Sequence, residues 1–237
     1  MKRVKYISKE ANERLVTLLR DLGYDVVFVA TKGVVADGLS CHPDMFLCRL
    51  GVEDDAEVVF APEFNGSSDN RFAGSSGQLS RTYPADVAYN AACTGRFFIH
   101  ALDYTAPELR ARAEGLGLTF INVRQGYTKC STVIVDERSI ITYDKGIALP
   151  CGRAGMDVLL VTPGHVRLPG YDTGFLGGAT GRVRLPDGQG PGRAAVLFNG
   201  NLDAHPDADQ IRDFIQSRGL EVITIPDYPL TDIGSIV

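Results

Sequence analysis

A lone cysteine, Cys130, stands in the stretch GYTKCSTVIVDERSIITYDKG, from Gly126 to Gly146, just ahead of an apolar, strand-like run. A cysteine attacks only as its thiolate, so a nucleophilic role needs a neighbouring cation or helix N-terminus. A histidine close to the thiol supplies both the base and the later acid. His42, in SCHPDMFL, and Asp172, in GYDTGFLGG, sit ahead of comparable apolar runs. Superposing Met45–Leu47 on Val133–Val135 puts His42 opposite Cys130. The same rule applied from Phe175 puts Asp172 there too. Cys130, His42 and Asp172 are thus the expected nucleophile, acid/base and carboxylate. Each also has a plain structural reading. Free cysteine is among the most buried residue types, so Cys130 reads equally as packing at a crowded strand start. His42 precedes Pro43 in a turn, and Asp172 has the place of an aspartate that bonds its own backbone.

Other polar residues offer binding rather than attack. Asp44, Asn90 and Asp232 each lie in a polar link ahead of an apolar run. In NGNLDAHPD, Asn201 and Asp203 follow the apolar run AAVLF and precede a helix, a common place for binding groups. His205 and Asp207 in the same stretch read as helix capping. No CxxC pair occurs, and Cys41, His42 and Cys48 make only a weak metal-binding pattern, so no metal is expected. GFLGGATG matches neither glycine-rich nucleotide fingerprint. No cofactor is expected either.

The elements that would position these residues recur along the chain. LGYDVVFV, LGLTFINV and RGLEVITI each follow a helix-like stretch. In each, a glycine (Gly23, Gly117, Gly219) ends the helix before a β-rich run. Thr105 and Glu108 are spaced as a capping box, with Pro107 in the first turn. DAEVVFA and AGMDVLLV read as further copies without a clear helix. Polar links follow, and five units in 237 residues average about 47 each, the period of a propeller or stacked array. The opening VKYI, Val4–Ile7, is expected to pair with the C-terminal unit and close the ring, since closure removes exposed sheet edges. His42, Asp44, Asn90, Asp172 and Asp232 would then line one axial cavity. Residues 63–84, rich in Gly, Ser and Asn, read as a flexible loop: a lid or a plain insertion.

Composition bounds the rest. The chain is 44% hydrophobic, enough for a core of its own in a single domain over residues 1–237. A net charge of -5 disfavours a broad nucleic-acid surface. No apolar run approaches a membrane span, and the basic start lacks the apolar core of a secretory signal. Five cysteines without regular spacing point to reduced thiols and a cytoplasmic setting. The expected partner is a small molecule; nothing specifies an oligomer.

Five strand–helix units about an axis resemble the pentein, or guanidine-modifying-enzyme, superfamily, and a bacterial branch of it. The fold class so implied is an α/β propeller with its active site at the axis. The resemblance implies a cysteine nucleophile, a histidine and carboxylates that grip a guanidinium. HPD, His42–Asp44, has the form of the family's His-x-Asp, and Gly170–Asp172 keeps the aspartate alone. The family's enzymes carry their cysteine in the last unit, where this chain reads PLTDIGSIV and has only Ser235 close by. The superfamily also includes a non-catalytic ribosome anti-association factor. Three readings follow: a divergent cysteine hydrolase or amidinotransferase acting on a guanidino, amidino or amino-acid-like ligand; a non-catalytic binding protein on that scaffold; and an ordinary doubly wound α/β domain.

Overall fold

A computed structural model describes residues 3–64, 79–186 and 193–237. In chain order the regular elements are β1 (Arg3–Ser8), α1 (Glu13–Asp21), β2 (Tyr24–Val29), β3 (Leu47–Arg49), β4 (Val58–Phe60), β5 (Ala92–Cys93) and β6 (Phe97–His100). There follow α2 (Pro107–Gly115), β7 (Thr119–Asn122), β8 (Thr132–Ile134), β9 (Ser139–Thr142), α3 (Lys145–Arg153) and β10 (Asp157–Leu160). The last are β11 (Thr180–Arg184), β12 (Ala194–Phe198), α4 (Ala208–Gln216) and β13 (Glu221–Ile223). The protein is mixed α/β, and among the described residues the strands form five small sheets rather than one doubly wound sheet.

Three sheets share one plan. In β5-β6-β7, β8-β9-β10 and β11-β12-β13 the first pair is antiparallel and the second parallel. A helix crosses between the parallel strands, as a parallel connection requires. β1 and β2 are such a parallel pair joined by α1. The C-terminal residues pair with β1: Tyr6 N donates to Val237 O at 2.8 Å, and Val237 N donates to Tyr6 O at 3.1 Å. The expected pairing of Val4–Ile7 with the C-terminal unit is therefore present. β3 and β4 form the antiparallel pair alone.

Local chemistry explains the elements. Leu15, Val16 and Leu19 give α1 a buried face, Asn12 caps its first turn through Arg14 N at 2.8 Å, and Gly23 ends it at φ +84°. At α2 the expected capping box does not form. Thr105 turns its hydroxyl to His100 Nδ1, Glu108 pairs with the Tyr89 hydroxyl, and Pro107 starts the helix without a side-chain cap. Tertiary partners outcompete the local cap here. α3 went unread in the sequence because KGIALPCGR carries Pro150 in its interior.

Apolar clusters join neighbouring sheets in succession. Phe46, Leu47, Val59 and Tyr6 pack with Phe98 and Leu109. Ile99 and Ile121 pack with Ile140 and Ile147. Val133 and Ile141 pack with Val196 and Ile211, and Leu197 packs with Ile7, Leu15 and Leu19. The polar links ahead of β3, β5, β8, β11 and the C-terminal residues are thereby held against one another. Of the expected loop over 63–84, residues 65–78 lie outside the described residues, and Leu79 N donates to Glu63 Oε1 at 3.0 Å across their ends.

Candidate functional site

The links meet through backbone hydrogen bonds. Asp44 N donates to Gly234 O at 3.1 Å, Lys129 N to Asn90 O at 3.0 Å, Gly178 N to Cys130 O at 2.8 Å and Ser235 N to Gly178 O at 2.7 Å. Asn90 braces the cysteine loop. Its Oδ1 accepts from Lys129 N at 2.9 Å and Cys130 N at 3.2 Å, while its Nδ2 donates to Cys130 Sγ at 3.1 Å. The Cys130 thiol donates to Asp44 Oδ2 at 3.1 Å. That same oxygen accepts from Ser235 Oγ at 2.6 Å, and Lys129 Nζ donates to Ser235 Oγ at 2.9 Å. Asp232 accepts from Gly234 N and Phe175 N, both at 2.9 Å, and its Oδ1 stands 3.9 Å from His42 Nδ1. Ser235 holds φ +71°, a left-handed backbone uncommon outside glycine and a local strain.

Burial governs the protonation of these groups. His42, Asp44, Asn90, Cys130 and Asp232 are all buried. Burial pushes the Asp44 carboxyl upward, against the pull of His42 and Lys129, and raises Asp232 to about 6. Burial also holds His42 low, although the nearby Asp44 works the other way. The Cys130 thiol is driven well above its ordinary value, first by burial and then by the Asp44 charge. At neutral pH the sulfur is a thiol, donating to Asp44 Oδ2. Two polar atoms of the cluster, His42 Nδ1 and Asp44 Oδ1, have no hydrogen-bond partner among the described residues.

A cavity of about 270 Å³ opens onto His42, Cys130 and Asp232. Its walls are aromatic, with Tyr83, Tyr127, Tyr171 and Phe175, and Asp86 and Arg81 add opposite charges. Tyr127 donates its hydroxyl to Asp86 Oδ2 at 2.6 Å, leaving buried Asp86 Oδ1 without a partner among the described residues.

The structure brings together His42, Asp44, Asn90, Cys130 and Asp232. It does not bring in Asp172, which is exposed in the turn Leu168–Tyr171 leads into. Asp172 lies eight residues ahead of β11, too far back along its link. Other residues of that link do reach the site: Tyr171, Thr173 and Phe175 line the cavity, and Gly177 and Gly178 pack against Cys130 and Asp232. A Cβ on Gly178 would overlap the Asp232 carboxylate, so this link contributes space and Asp232 contributes the charge. The superposition that paired His42 with Cys130 is also off in register. Cys130 lies two residues ahead of β8 and His42 five ahead of β3, with a 3-10 turn over Pro43–Met45 in between. Asn201 and Asp203 are elsewhere. Asn201 Oδ1 caps a short turn through Asp203 N at 2.9 Å, and Asp203 pairs with Arg212 at 2.6 Å. Their stretch is a helix lead-in, held by local bonds. The sequence reading missed Lys129 and Asp86; the cation adjoining Cys130 was the available signal. Cys41 and Cys48 do not join His42, whose cysteine neighbour is Cys130.

All five cysteines are free, and no helix among the described residues is long and apolar enough to cross a membrane. No curated protein and no solved structure matches the chain. The model of a family of unknown function, DUF6873, matches residues 6–237, and the chain belongs to that family.

Proposed function

We propose that the five sheets form a pentein-like propeller and that the cavity beside Cys130 binds a small guanidino or amidino ligand with amino-acid character. The observation that carries this reading is the convergence of His42, Asp44, Cys130 and Asp232 from three separate links, with His42, Cys130 and Asp232 lining one cavity. The succession of apolar clusters from sheet to sheet and the Tyr6–Val237 pairing support the ring. The ligand class follows from the walls. A planar cation suits paired carboxylates, here Asp232 and Asp86, and the faces of Tyr127, Tyr171 and Phe175. Arg81 at the same cavity is placed for a carboxylate.

Turnover would use the groups as they stand. A bound cation beside Sγ lowers the cost of the thiolate by Coulomb attraction. Sγ attacks the amidino carbon as its proton passes to Asp44 Oδ2. The C–N bond to the leaving amine then breaks, and that amine takes up the proton. Water, or an acceptor amine in a transferase, adds to the same carbon and expels the thiol. His42 Nδ1, without a hydrogen-bond partner among the described residues, takes the proton of that incoming nucleophile and returns it to Sγ as the C–S bond breaks.

The second reading is a non-catalytic binding protein. It is favoured by the strongly raised thiol of Cys130 and by Ser235 in the last unit, where enzymes of the pentein superfamily that the chain resembles carry cysteine. Calorimetry with arginine, agmatine and guanidinoacetate in the presence of a chelator tests both. One saturable site, lost in Asp232→Asn, is expected, with product release separating enzyme from binder. Absence of binding by all three, and no slowing of Cys130 alkylation, would sink the ligand class.

A further inference from the structure

We propose that His42, Asp44 and Cys130 also form a three-ligand site for a borderline-soft divalent cation of the zinc class, its fourth position facing the 270 Å³ cavity. The proposal goes beyond the guanidino reading and does not depend on it. A donor atom from each residue lies within 4.8 Å of the other two. Tetrahedral zinc bonds of about 2.0–2.3 Å set donors about 3.3–3.8 Å apart, so binding draws the most distant pair together by about 1 Å through side-chain rotation.

The second observation is independent of the clustering. Each of the three side chains is nearly closed off from solvent, at 4%, 1% and 2% exposure for His42, Asp44 and Cys130. Yet His42 Nδ1 and Asp44 Oδ1 have no partner among the described residues. A buried polar atom left unpaired forfeits the bonds it made to water and is destabilising. A cation bound through these two atoms and Sγ removes that cost.

The surroundings fit a metal ligand set. Asn90 Nδ2 donates to Sγ at 3.1 Å and Ser235 Oγ to Asp44 Oδ2 at 2.6 Å. Such bonds orient the ligands and leave Asp44 Oδ1 to the ion. Asp232 is not among the residues whose donor atoms cluster within 4.8 Å, and its Oδ1 stands 3.9 Å from His42 Nδ1. One thiolate, one imidazole and one carboxylate select zinc or cobalt over magnesium or calcium, which avoid sulfur. Binding forms the Sγ–metal bond and releases the thiol proton to solvent. The sulfur then cannot also attack a substrate, so metal occupancy and nucleophilic use of Cys130 exclude each other.

The test is cobalt titration of the full chain after chelator treatment. One equivalent should bring up a thiolate-to-cobalt charge-transfer band with the intense visible bands of four-coordinate cobalt, and zinc should abolish them. The band should vanish in Cys130→Ser and persist in Cys41→Ser, which alters the other cysteine beside His42. Ser235→Ala should weaken binding by about tenfold. Should Cys130→Ser fail to fold, zinc protection of Cys130 in the unaltered chain, read by mass mapping of iodoacetamide adducts, takes its place. No band with excess cobalt, a band that follows Cys41, or no zinc protection overturns the proposal. The guanidino titration is run in chelator, so either result can fail without the other.

Discussion

His100 and His42 are both buried, and their surroundings are built differently. His100 lies at the end of β6, fully enclosed, with Nδ1 paired to Thr105 Oγ1 at 2.8 Å and Nε2 to Gly126 O at 3.1 Å. Burial pulls its pKa to about 4, so the ring is neutral. His42 is just as enclosed, but its Nδ1 has no hydrogen-bond partner among the described residues and faces Asp232 Oδ1 from 3.9 Å. A satisfied buried ring fixes backbone; an unsatisfied one keeps bonding capacity for something else. The two are also connected. Gly126, which His100 holds, begins the link that carries Cys130. His100 therefore steadies the loop that His42 faces.

The largest expected effect is on folding. His100→Ala leaves a cavity, an unpaired Thr105 hydroxyl and an unpaired Gly126 carbonyl, and should cost about 3–5 kcal/mol by denaturant unfolding. His42→Ala removes no hydrogen bond that an atom needs. It should cost less than about 1.5 kcal/mol while abolishing ligand and cobalt binding. Equal losses of stability in the two variants would break the comparison.

Acid should separate the regions next. Between pH 6.5 and about 4 the unfolded chain binds a proton at His100 that the folded chain refuses. Stability therefore falls as pH falls through that window, by about 3 kcal/mol in total from this ring, and is fully kept above it. In His100→Asn the acid limb should be shallower by about one proton per chain, measured as the slope of unfolding free energy against pH. An unchanged slope would show that His100 does not carry it.

How much of this was legible beforehand depended on whether the signal was local. Gly23, Gly117 and Gly219 end the helices as read, each at positive φ, because a left-handed backbone is a property of one residue. Val4–Ile7 pairs as read because an apolar strand at one end needs a partner at the other. His42, Asp44, Asn90 and Asp232 were found from their shared place in the polar links. Asp172 was not in place, since the number of residues between a link's start and its strand varies from unit to unit and only the folded turns fix it. Asn201 and Asp203 were local caps in a stretch whose composition suits either role. The capping box at Thr105 lost to His100 for the same reason: a tertiary partner is invisible to spacing.

A smaller effect probes the space left for Asp232. Gly178→Ala puts a methyl where the carboxylate lies, although its backbone needs no positive φ. The carboxylate must move, breaking its bonds to Gly234 N and Phe175 N. We expect a loss of about 2 kcal/mol and at least a tenfold weakening of guanidino binding, read by thermal unfolding and calorimetry. Retained affinity would mean that Asp232 does not hold the ligand.

The smallest effect is expected at Asp172, the carboxylate that its motif offered and the fold left outside. It is exposed and does not line the cavity, whereas Tyr171 and Thr173 on either side do. Asp172→Asn removes a charge from water and nothing from the site. Stability should change by less than about 0.5 kcal/mol, and the affinity for agmatine by less than about twofold. Any residual attraction between this carboxylate and a cationic ligand acts through solvent, so raising the salt from 0.05 to about 0.5 M should erase the difference between variant and parent. A large loss of affinity that survives high salt would mean that the turn closes over the ligand and brings Asp172 into contact. The carboxylate pair on the cation would then be Asp172 with Asp232, and the cavity would be narrower when filled than it is here.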